Sequence, residues 1–130
     1  MKPGFKPGLA IEHHAVVRPW MRLRLDGLVR HPLYATWAMV YHMEVAARKL
    51  LAPYLEPGEE AVGAAVAVDH LAPAAVGTPV RVVCRLESVR GRRVRTRLDV
   101  YVQNRRIGTG SHVQAVIPRE RFERLSRRAR

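Results

Sequence analysis

Tyr34-Ala35-Thr36-Trp37-Ala38-Met39-Val40-Tyr41-His42-Met43-Glu44-Val45-Ala46-Ala47-Arg48-Lys49-Leu50-Leu51-Ala52-Pro53-Tyr54-Leu55 reads as the one long helix of the chain. With successive residues stepping by about 100°, Val40, Met43, Ala47, Leu50, Leu51 and Tyr54 fall on a single apolar stripe, and His42, Val45 and Lys49 fall opposite. Pro53 weakens the last turn. Glu56-Pro57-Gly58 closes it, because proline and glycine cannot easily continue a helix. An apolar stripe of this length needs a partner surface, and the residues that follow provide one.

From Ala61 the apolar period changes to two. Val62, Ala64, Val66, Val68 and His70 share one face of a strand, and Gly63, Ala65, Ala67 and Asp69 share the other. Pro79 to Val89 places Val80, Val82, Cys84 and Leu86 on one side. Arg90-Gly91-Arg92 is a hairpin turn, and the returning strand directs Val94, Thr96, Leu98, Val100 and Val102 inward and Arg93, Arg95, Arg97 and Asp99 outward. A second turn at Gln103-Asn104-Arg105-Arg106 leads into a last strand, Ile107 to Ile117. Upstream of the helix, Leu9 to Val17 is a first strand and Met21 to Leu25 alternates like a short one. Gly27 and His31-Pro32 mark a loop.

One helix cannot cover both faces of such a sheet, so the expected class is α+β, an antiparallel sheet wrapped around one long helix. The exposed edge of so small a sheet favours pairing with a second copy. With 130 residues, there is room for one domain and one site. The expected organisation is a flexible arm over 1–8, a domain over 9–125 and a basic tail over 126–130. The longest apolar run, Ala61 to Val68, is too short to span a membrane. A single cysteine, Cys84, fits a reducing compartment, and the expected location is the cytoplasm.

The formal net charge of +12 is concentrated late: residues 81–130 carry 15 arginines against 4 acids. That excess raises the question of nucleic acid. However, the arginine-rich stretch offers only Tyr101 and Phe122 as stacking platforms, and no recognised nucleic-acid-binding motif accompanies it. A phosphate-bearing small ligand such as coenzyme A is the alternative.

Three residues stand out chemically. Glu44 lies about 40° from Val40 on the helical wheel, inside the apolar stripe, where burial would raise its pKa and suit it to nucleophilic or general-base work. His70 ends the bulkier face of its strand, the face expected to meet the helix, so it would point into the same space as Glu44. Thr36 stands at the helix start, as an N-cap or as a nucleophile activated by a base. Thr36 and Glu44 are eight residues apart, about 12 Å along a helix at about 1.5 Å per residue. Either Thr36 folds back, or the site combines two chains. His13, His14, His31, His42 and His112 show no metal-ligand spacing, so no metal is expected.

Tyr34-Ala35-Thr36, Met43-Glu44, Val62-Gly63, His70-Leu71-Ala72 and Val76-Gly77, with the closing Arg119-Glu120-Arg121-Phe122, resemble the fluoroacetyl-CoA thioesterase-like branch of the hotdog-fold superfamily. The resemblance runs from about Leu9 to Leu125. It implies a homodimer whose sheets join side by side, with sites near the interface, and hydrolysis of a short acyl-CoA to free acid and coenzyme A without a further cofactor. Thr36, Glu44 and His70 match the family's catalytic residues, and Gly63 matches a glycine whose backbone N–H polarises the thioester carbonyl. The chain departs from the family's namesake in having no phenylalanine in Asp26-Gly27-Leu28-Val29-Arg30, and Val113-Gln114 where the namesake has an arginine. The resemblance thus leaves the acyl group open. Readings from other classes are a non-catalytic acyl-CoA-binding module and a basic RNA-binding domain; hydration of an enoyl-CoA would be another activity on the same fold.

Overall fold

The computed structural model describes the backbone of all 130 residues and every side chain except that of Val29. Strand β1 (Ala10–Val16) is followed by a hairpin of β2 (Arg22–Leu25) and β3 (Val29–Tyr34), the long helix α1 (Thr36–Leu51), strands β4 (Glu59–His70), β5 (Pro79–Arg90), β6 (Arg93–Val102) and β7 (Arg105–Pro118), and a terminal helix α2 (Arg119–Arg128). The main sheet is antiparallel in the order β1-β5-β6-β7-β4, and β2-β3 form a separate two-stranded sheet. The expected α+β architecture, one long helix in the curve of an antiparallel sheet, is the one the chain adopts.

The core lies between α1 and the inner sheet face. Ala38, Met39, Met43, Ala46, Ala47, Leu50 and Leu51 meet Val80, Val82, Cys84 and Leu86 of β5 and Val94, Leu98 and Val100 of β6, all buried. Each large side chain so placed stabilises the fold by roughly 1.5–3 kcal/mol. Cys84 is part of this apolar layer, where burial pushes its thiol up to about 11. On the outer face, Arg81, Arg95 and Arg106 pair with Glu12, Glu87 and Asp99.

Several expectations are corrected. The buried side of α1 is wider than the stripe read from the sequence, because the sheet wraps it: His42, expected opposite the core, is 2% exposed, and its Nδ1 is hydrogen-bonded to the Tyr34 hydroxyl. Imidazole reads as polar in a helical pattern, whereas its ring packs like an aromatic once one nitrogen has a partner. The loop expected around Gly27 and His31-Pro32 is a hairpin whose turn takes positive φ at Asp26 and Gly27; Pro32 is tolerated because the sheet has only two strands. Tyr34 ends β3 instead of opening α1, and Ala52–Tyr54 form a 3-10 turn beyond Leu51. Residues 1–8 do not project as an arm: the Lys2 amide bonds the Tyr54 carbonyl, and Phe5 lies 4.9 Å from the Tyr54 ring. The basic tail is the end of α2, which continues to Arg128.

The two faces expected for β4 do not persist along its length. Its pairing with β7 shifts between Gly63 and Ala65, a bulge with Ala64 as the extra residue. Before the bulge, Ala61 and Gly63 sit over the inner-face residues Val116 and Gln114; after it, Val66, Val68 and His70 sit over His112, Gly110 and Gly108. Strict alternation would put Gly63 and His70 on opposite faces, since they are seven residues apart. The bulge puts both on the helix side.

Candidate active site

The glycine-spaced end of β7 lets α1 approach the sheet closely. A Cβ on Gly108 would lie 2.4 Å from Met39 Sδ of the helix, and one on Gly110 would lie 2.1 Å from the Ala67 carbonyl oxygen of β4, so Gly108 makes room for α1 and Gly110 for the neighbouring strand. This close approach brings the start of α1 to the end of β4. Thr36 is the first residue of α1, and Ala35, not Thr36, occupies the N-cap position. The Thr36 hydroxyl is therefore not used as a cap. Its Oγ1 lies 2.9 Å from His70 Nδ1.

This pair opens on a cavity of about 380 Å³ whose walls include Leu23, His31, Tyr34, Leu71 and Ala72. The Tyr34 ring meets His70 edge-on at 6.1 Å. Burial holds the His70 pKa below the ordinary imidazole value, partly offset by the Ala72 backbone. Its Nε2 is buried without a hydrogen-bond partner. A neutral imidazole beside a hydroxyl is the arrangement a general base needs.

The other end of β4 holds a second group. Glu44 Oε1 lies 3.3 Å from His112 Nε2, and a Cβ on Gly63 would be 3.5 Å from that nitrogen and 3.6 Å from that oxygen. The expectation that Glu44 is buried in the apolar stripe is not met: its side chain is 52% exposed, on the margin of the buried surface. Nor do Glu44 and His70 face one another within the chain. The imidazole beside Glu44 is His112, on the inner face of β7, while His70 lies seven residues beyond Gly63, six of them paired steps past the bulge, about 20 Å along a strand at about 3.3 Å per residue.

Sequence reasoning passed over His112 because it sought metal spacing. The signal available was position: Gly108, Gly110, His112 and Gln114 alternate on one face of β7, so a histidine there points at the helix. Gln114, 2% exposed, accepts from Arg48 Nε and donates to the Ala47 carbonyl. Among the described residues, no group of three His, Cys, Asp or Glu side chains could hold a metal ion, and no helix is long and apolar enough to cross a membrane.

A sheet curved around one helix, with hydroxyl, imidazole and carboxylate along its edge strand, defines a hotdog-fold thioesterase-superfamily protein. A Thermus thermophilus protein of that superfamily shares the fold with a TM-score of 0.93 and 41% identity, over 99% of this chain and 95% of its own. The chain belongs to the fluoroacetyl-CoA-specific thioesterase family, whose pattern it matches over residues 17–120. It is 38% identical to the fluoroacetyl-CoA thioesterase of Streptantibioticus cattleyicolor, across 94% of this chain and 92% of that one. A threonine-to-serine variant of the fluoroacetyl-CoA enzyme FlK, solved with acetyl-CoA, superposes with a TM-score of 0.88 at 35% identity, covering 96% of this chain and 98% of the other.

Proposed function

We propose that the chain hydrolyses a short acyl-CoA thioester to the free acid and coenzyme A, with coenzyme A entering only as part of the substrate. The observation that carries this reading is the 2.9 Å contact between Thr36 Oγ1 and His70 Nδ1 at the mouth of a cavity. His70, kept neutral by burial, accepts the hydroxyl proton at Nδ1. The Thr36 oxygen then bonds to the thioester carbon. The carbon–sulfur bond breaks, and the thiolate takes the proton from His70. Water activated by Glu44 completes hydrolysis of the acyl-threonine. The Gly63 backbone N–H faces the developing oxyanion, a role worth about 10²–10³ in rate for one donor.

These groups serve one substrate only if two chains contribute. Gly63 to Ala67 form an exposed run of small residues with Val66 at the outer edge of the sheet. Antiparallel pairing of this edge with a second copy, about a two-fold axis near its middle, brings Thr36 and His70 of one chain toward Gly63 and Glu44 of the other. The proposed enzyme is therefore a homodimer with two composite sites. Release of free thiol from a panel of short acyl-CoAs tests the activity. Failure of the purified wild type to exceed a Thr36→Ala, Glu44→Ala double variant on every member of the panel would reject it.

A further inference from the structure

We infer that His112 is a positioning residue for Glu44: its imidazole, protonated on Nε2, donates to the Glu44 carboxylate and holds it over Gly63. The inference rests on the thioesterase reading for its consequence in catalysis, but the hydrogen bond stands on geometry alone.

His112 is 3% exposed on the inner face of β7. Buried Thr96 of β6, its register partner, donates its hydroxyl to the His112 carbonyl, which helps fix the backbone that carries the ring. Of the two ring nitrogens, Nε2 faces Glu44 Oε1 at 3.3 Å and Nδ1 is buried with no partner. A carboxylate has no proton to give, so the shared proton belongs to the ring: Nε2 carries it and donates to Glu44.

Glu44 has need of such a hold. Its side chain is half in solvent on the open margin of α1, and the bond to His112 is the one hydrogen bond it makes among the described side chains. Arg48, one turn along, is engaged elsewhere: its Nε donates to Gln114 and its terminal nitrogen to the Ala61 carbonyl at 2.6 Å. Left free, a glutamate on a helix surface samples several rotamers, and an activated water needs its base in one of them. Gly63 lies beneath the bond, and a side chain there would lie in contact with both partners. The glycine thus leaves open the approach to the carboxylate that His112 orients.

The test compares His112→Phe, which fills the space without a donor, with His112→Gln, whose amide N–H falls near the place of Nε2. Thiol release from an acyl-CoA that the wild type hydrolyses is followed for each. His112→Phe should lower kcat by about 10-fold to 100-fold, the size of one lost hydrogen bond to a charged group, with KM within about twofold. His112→Gln should recover most of the loss. Equal loss in both variants, or a His112→Phe enzyme with kcat unchanged, would overturn the inference. If His112→Phe does not fold, ¹⁵N NMR of the ring in the wild type still decides: a ring protonated on Nε2 is expected, and one bare at Nε2 overturns it. A wild type that releases no thiol from any acyl-CoA would reject the thioesterase reading, while the NMR result would still decide the hydrogen bond.

Discussion

The two ends of β4 differ in completeness. At the His70 end, a hydroxyl and a depressed-pKa imidazole meet over a walled cavity, and every contact comes from one chain. At the Gly63 end, Glu44 is half exposed, and the strand beside it presents small side chains and an unpaired edge. The first end is a pocket that lacks a carboxylate, and the second offers a carboxylate without a comparable pocket. Such complementary deficits along one edge strand are what a two-fold axis would remedy, because it places unlike ends side by side.

The largest predicted effects follow from removing either partner at the complete end. Thr36→Ala and His70→Ala should each lower kcat by roughly 10²–10⁴-fold, the range for a positioned proton-transfer group, measured as thiol release under saturation. A combination of Thr36→Ala and Glu44→Ala chains addresses the comparison itself. In a randomly mixed population, mixed dimers carry one intact composite site each, so about a quarter of wild-type activity should return on co-refolding two nearly inactive variants. If both groups act within one chain, the mixture stays as inactive as its components.

The complete end was the more legible in the sequence, and the physics of each signal says why. Helix and strands announced themselves by period, and the outward arginines and inward valines of β5 and β6 left little choice of face. Thr36 and His70 could be singled out because each stood at the end of such an element. The bulge at Ala64 was hidden: Val62-Gly63-Ala64-Ala65-Val66 alternates well enough that nothing marks an extra residue, yet that residue decides which way Gly63 faces. Glu44 was assigned to the core because an ideal wheel does not show where a curved sheet stops covering a helix. His42 and His112 were passed over since imidazole counts as polar in a pattern, although here one packs against Tyr34 and the other supports Glu44. The proposed completion of the site by a second chain shows in no periodicity; only the eight-residue spacing of Thr36 and Glu44 points to it.

The buried histidine on the inner side of α1 distinguishes the frame from the site. Burial, with a smaller contribution from His13, lowers the His42 pKa to about 4. The unfolded chain binds that proton near pH 6.5 and the folded chain does not, so stability should fall as pH drops from about 6.5 toward 4 and level off below. Each tenfold loss of proton affinity on folding corresponds to about 1.4 kcal/mol, so the decline amounts to a few kcal/mol at most. Urea unfolding followed across this range should show the decline, and His42→Leu should reduce it by the larger part, the lowered His13 and His70 leaving a smaller remainder. A decline unchanged in His42→Leu would place the acid sensitivity elsewhere. The His70 pKa is also lowered, and there the neutral form is the active one, so kcat/KM should hold as pH falls to about 6.5 and decline only below it. A limb above that value would contradict a buried, neutral base.

The smallest effect should come from the open end. At Gly63 an added methyl meets His112 Nε2 at 3.5 Å and Glu44 Oε1 at 3.6 Å, ordinary contact distances, and the position has no positive φ to strain. Gly63→Ala should therefore leave stability within about 0.5 kcal/mol of the wild type. The methyl would nonetheless occupy the approach to the carboxylate, so kcat/KM should fall by a modest factor, about tenfold, comparable to one misplaced contact. Paired measurement of melting temperature and kcat/KM separates these two statements. A loss of stability would mean that the edge strand is packed more tightly around Gly63 than these distances allow. Unchanged kcat/KM at unchanged stability would mean that substrate does not pass over Gly63 at all, and the asymmetry between the two ends of β4 would then have no part in catalysis.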